Sequence, residues 1–132
     1  MGAHYEAVGR VGVMELRIVR ITDNFDESCY LYGTLLGWPV TREWDEGGRG
    51  RIFGYGDVGR IELMEAPSTG DPVETVSGMF VSIEDPDVAA LHQRLRAANV
   101  EITRPLADQP WGHRSFGILD PSGLELVFFQ WI

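Results

Sequence analysis

The chain has 132 residues, 44% of them hydrophobic, and a formal net charge of −9. That length suits one domain able to bury a core without metal or disulfide staples, and the acidic balance disfavours nucleic acid, whose phosphates it would repel. The single cysteine, Cys29, rules out an intrachain disulfide and suits a reducing cytoplasm.

No apolar run reaches the roughly 18 residues of a membrane span. The opening MGAHYEAVGR lacks the basic-then-apolar order of a secretory signal. A soluble, cytoplasmic protein with neither membrane nor nucleic-acid partners is expected.

In chain order, VMELRIVRI (13–21) alternates enough to form a strand. A helix follows: Asp26 or Ser28 can cap it, Cys29, Tyr32 and Leu36 recur at helical spacing, and Gly37 ends it in the left-handed position. PVTREW, RGRIFGYG and GRIELMEA are three short strands separated by glycine-rich turns. A stretch rich in turn formers and acid (67–76) then leads to a second strand, SGMFVSIE. Asp85-Pro86 opens a second helix whose face is Val88, Leu91, Leu95 and Ala98, with Asn99 at its end. VEITRP, HRSFGIL and GLELVFFQW supply three more strands.

The two halves repeat one another. FGYGDVGRIELME (53–65) and FGILDPSGLELVF (116–128) are similar hairpins, each ending with a Glu between aliphatic residues, Glu62 and Glu125. The expected fold is α+β: two tandem βαβββ modules, about 11–66 and 77–131, within one domain spanning 1–132. A four-stranded sheet covered by one helix has an open face that must pack or bind something. Two such curved mixed sheets would enclose a concave cleft, the natural place for a ligand.

The repeat, the LYGTLLGWPV stretch and QPWGHRSFGILDPSG resemble the vicinal oxygen chelate superfamily, which holds glyoxalases, extradiol dioxygenases, thiol transferases and bleomycin-resistance proteins. Gln109-Pro110-Trp111-Gly112, Phe116 and Asp120-Pro121 with Gly123 look most like the bleomycin-resistance branch. The resemblance implies a homodimer, and in enzymes of the group a divalent metal on four side chains, from the first and last strand of each half. Counting back from Asp23, the first of these positions falls on Leu16. The others fall on Glu62, at or beside Gly78, and on Glu125 or Val127, with Glu15 reachable by a shift of register. Two carboxylates at most survive and no histidine joins them, because His4, His92 and His113 lie elsewhere. Such a pair binds a transition metal loosely, so no metal site and no cofactor are expected.

Recognition would then rest on rings and charge. Trp38, Trp44, Trp111 and Trp131 are a generous supply of flat surfaces for planar or cationic ligands. Trp111 occupies the turn that borders the ligand groove in bleomycin-resistance proteins, by resemblance. Trp38 and Trp44 flank the second strand, Phe53 and Tyr55 lie in the third, and Arg114 can pair with an anion. The expected ligand site is Trp111, Trp44, Phe53, Tyr55, Glu62, Arg114 and Trp38. The expected function is metal-independent binding of an aromatic small molecule, with or without positive charge, in antibiotic sequestration or resistance. The alternative is a metal-dependent lyase, dioxygenase or thiol transferase using Glu62.

Overall fold

The structure is a computed structural model that describes residues 14–132. His4, the stretch MGAHYEAVGR and the start of the first expected strand lie outside the described residues.

The first module runs β1 (Leu16–Thr22), α1 (Phe25–Cys29), β2 (Val40–Trp44), β3 (Gly50–Tyr55) and β4 (Gly59–Glu65). The second runs β5 (Val81–Glu84), α2 (Val88–Ala97), β6 (Ile102–Asp108), β7 (His113–Leu119) and β8 (Glu125–Trp131). The sheets have strand orders β1-β4-β3-β2 and β5-β8-β7-β6. Within each, the first strand pairs in parallel with the last and the other pairs are antiparallel. The architecture is therefore α+β, two βαβββ modules in tandem. Among the described residues no helix is long and apolar enough to cross a membrane.

The helix starts differ from expectation. Helix α1 opens at Phe25 with Asn24 in the capping place, so Asp26 lies in its first turn, where a carboxylate favours the helix dipole, and Ser28 is buried within it. Asp87, not Asp85, caps α2, accepting the Ala90 N–H at 3.1 Å, while Asp85 accepts the Asp87 N–H. Past Cys29 the first helix widens into a π-helical segment, Tyr30–Leu35, with the Leu36 N–H reaching back to the Leu31 carbonyl at 2.8 Å. Gly33 sits in that segment hard against β3: a Cβ there would lie 2.9 Å from the Phe53 ring.

One face of each sheet carries its helix. From β1, β3 and β4 that face presents Ile18, Phe53, Ile61 and Leu63; from β7 and β8 it presents Phe116, Ile118, Leu126 and Phe128. With Phe25, Leu31 and Tyr32 of the first helix and Val88, Leu91 and Leu95 of α2, these make one continuous hydrophobic cluster. The modules meet on that same side. The Tyr32 hydroxyl donates to Asp120 Oδ2 at 2.6 Å, Arg20 donates to Ser122 Oγ and the Glu74 carbonyl, and Arg94 donates to the Leu35 carbonyl. Among the described residues no element covers the opposite faces.

Candidate functional site

Alternation along β1 and β4 decides what the first open face offers. The register pairs Leu16 with Gly59, Ile18 with Ile61 and Val19 with Glu62. Side chains alternate along a strand, so Arg17, Val19 and Ile21 share the face of Glu62, whereas Leu16 faces the helix side with Ile18. The first-strand position that answers Glu62 is therefore Arg17 and not Leu16, a correction of one residue. Arg17 Nη1 lies 3.2 Å from Glu62 Oε1 and its Nε 2.9 Å from Glu15 Oε1, while Arg60 Nε stands 3.6 Å from Glu15 Oε2. Next to this cluster Val19, Ile21 and Met64 expose an apolar shelf. Trp44, at the end of β2, lies flat over Gly50, where any Cβ would meet its ring at 2.0 Å.

The open face of the second sheet is ring-rich. His113 stacks on Phe129 with centroids 4.4 Å apart and meets Trp131 edge-on at 4.3 Å. Trp111, 65% exposed, donates its indole N–H to His113 Nδ1 at 3.3 Å. The other ring nitrogen, His113 Nε2, is buried without a hydrogen-bond partner. Further along, Arg104 forks onto both oxygens of Glu125 at 3.0 Å each, Thr103 adds a third bond, and the guanidinium lies over Phe80. That fork draws the Glu125 carboxyl below its ordinary pKa.

The residues expected to form one site are distributed over five places. Glu62 and Trp44 belong to the first open face, and Trp111 stands beside the second. Arg114 points to the helix side, held by Asp108 at 2.7 Å. Phe53 is 1% exposed and packs against Tyr32 in the core. Trp38 and Tyr55 lie 4.8 Å apart between the modules, lining a 250 Å³ cavity with Ile18, Ile61, Val81 and Leu126. The Tyr55 hydroxyl donates to the Glu84 carbonyl there. A wider cleft of about 690 Å³ lies between Tyr30 and Leu35 on one side and Val100 and Pro121 on the other. Arg17, Arg104, Phe129 and Trp131 were not among the expected ligand residues. The phase of ELRIVRI, which puts Arg17 in step with Glu15 and Val19, was the available signal for the first of them.

These donors do not fit a divalent ion. Both candidate carboxylates already face a guanidinium, Glu62 that of Arg17 and Glu125 that of Arg104, and His113 Nδ1 is taken by Trp111. Among the described residues no group of three or more His, Cys, Asp or Glu side chains is placed to hold a metal.

Residues 16–128 match the family described as the Glyoxalase/Bleomycin resistance protein/Dioxygenase superfamily, and the chain belongs to it. Solved structures share the fold. A glyoxalase/bleomycin resistance protein/dioxygenase from Nocardioides is 26% identical, with 88% of this chain and 82% of that one covered and a TM-score of 0.64. TnmS3, an antibiotic binding protein from Streptomyces sp. CB03234, is 18% identical over 89% of this chain and 95% of its own, with a TM-score of 0.70. A glyoxalase I mutant from Zea mays is 19% identical over 88% of this chain and 44% of its own, with a TM-score of 0.75. No curated protein matches the chain.

Proposed function

We propose that this protein binds an aromatic small molecule without a metal, that positive charge on the ligand favours binding, and that it serves antibiotic sequestration or resistance in the cytoplasm. The observation that carries this reading is the chemistry of the open faces: their carboxylates are each met by an arginine, while Trp111, Trp131 and Phe80 stay exposed. Exposed rings offer stacking and cation–π contact. The net charge of −9 adds long-range attraction for a cation. The likeness in fold to an antibiotic binding protein is consistent with it.

A homodimer is part of the same proposal. Val19, Ile21 and Met64 on one open face, and Phe80 and Trp131 on the other, are more exposed than large apolar side chains of a lone protein need be. A second copy would cover them and bring the first module's charges against the second module's rings. Titration with a panel of planar cationic antibiotics, followed by tryptophan fluorescence, tests the reading. Quenching that saturates at micromolar ligand and is lost in Trp111→Ala is expected. An unchanged spectrum across the panel would count against it.

A further inference from the structure

We infer that Arg17 is a built-in cation that keeps the first open face closed to metals, holding Glu62 and Glu15 as an ion otherwise would; this rests on the metal-independent reading above. The register puts Arg17 on the face of Glu62 and one step along β1 from its partner Val19. The contacts form a chain of alternating charge: Glu62 to Arg17 at 3.2 Å, Arg17 to Glu15 at 2.9 Å, and Glu15 to Arg60 at 3.6 Å. One guanidinium thus lies between two carboxylates that would together attract a divalent ion. The four side chains are only 12–24% exposed, so solvent screens them weakly, and an ion approaching Glu62 meets a positive charge at contact distance.

The residue type matters as much as the place. A histidine gives up its proton to a metal and becomes a ligand. An arginine keeps its charge at every pH at which proteins fold, so it cannot make the same exchange. A pair of adjacent oxygens on a ligand gains nothing here by chelation, because the place of the ion is taken by a guanidinium. Glu62 and Glu15 are each held in place by the Arg17 guanidinium.

The test uses zinc and cobalt ions alone, titrated into the full chain and into Arg17→His, Arg17→Ala, Arg17→Lys and the double variant Arg17→His with Glu62→Gln. Ions retained after dialysis and the visible spectrum of bound cobalt are the readouts. Wild type and Arg17→Lys should retain far less than one ion per chain. Arg17→His should gain affinity by about tenfold or more, with a cobalt spectrum, because an imidazole then joins Glu62 and Glu15. Adding Glu62→Gln should remove that gain. Arg17→Ala, which removes the guanidinium between the two carboxylates, should shift in the same direction and serves if Arg17→His does not fold. The inference is overturned if neither variant, folded by circular dichroism, binds more metal than wild type, or if the gain survives Glu62→Gln. Those outcomes leave the metal-independent reading standing; a stoichiometric ion in wild type, lost on Glu62→Gln, would overturn both.

Discussion

The Asp120 carboxylate accepts four hydrogen bonds, three of them within its own turn, from Ser122 N–H, Ser122 Oγ and Leu124 N–H, and the fourth from Tyr32 of the other module. Asp120 is 2% exposed and Tyr32 fully buried, so this polar group survives only because its partners are all supplied. Burial, and next the Asp120 charge, hold the Tyr32 hydroxyl well above its ordinary pKa, so it stays a donor across the physiological range. Tyr32→Phe should cost about 1.5–3 kcal/mol, the range for a bond to a charged acceptor. Asp120→Ala should cost more, because it leaves three turn donors and the Tyr32 hydroxyl unanswered. Urea unfolding of the two variants checks the order, and a neutral Tyr32→Phe would refute it.

Acid acts through different carboxylates. Hydrogen bonds from Arg104 lower the Glu125 pKa and those from Arg114 lower that of Asp108. A carboxyl depressed in the folded state contributes stability above its unfolded value, 4.5 for Glu and 3.8 for Asp, and that contribution is lost as the pH falls through the folded value. Stability should therefore decline below about pH 4.5, and less steeply in Glu125→Gln, as thermal melts across that window would show. An identical slope in the variant would contradict the assignment.

At the scale of elements, the π-helical segment and β3 fit together through Gly33. The Phe53 ring a Cβ would strike has almost no exposed surface and no room to retreat. Gly33→Ala should therefore destabilise by about 1–3 kcal/mol, the usual cost of overpacking, although alanine favours helix elsewhere. A stabilised variant in a denaturant series would show that the segment yields.

The elements themselves were legible, because strand alternation, the helix faces and Gly37, which has φ of 73°, follow from local rules. The helix starts were less so. Several capable side chains crowd each one, and only the geometry shows that Asp87 rather than Asp85 makes the bond. Leu16 was mistaken for Arg17 because a slip of one residue turns every side chain to the other face, and register is fixed by pairing with a strand some 40 residues away. Phe53 and Tyr55 show the same limit: an aromatic ring in a strand does not announce which side it takes. For Glu62 the flanking aliphatics give the phase, because Ile61 and Leu63 take the helix side and leave Glu62 on the opposite face.

Over the whole molecule, the modules set their helix-bearing faces against each other, and among the described residues no element covers either open face. Light scattering should find a dimer at micromolar concentration. Ile21→Lys, placing a charge on the first open face where Ile21 is 48% exposed, should weaken that dimer while leaving the monomer folded. A monomeric wild type would refute the pairing. Ligand capture by these faces should need no metal. Calorimetric titration of one planar cationic ligand into the protein before and after exhaustive chelation measures this most directly. Equal affinity and stoichiometry in both preparations is the predicted result. Binding that disappears with the chelator and returns with added divalent ion would contradict it.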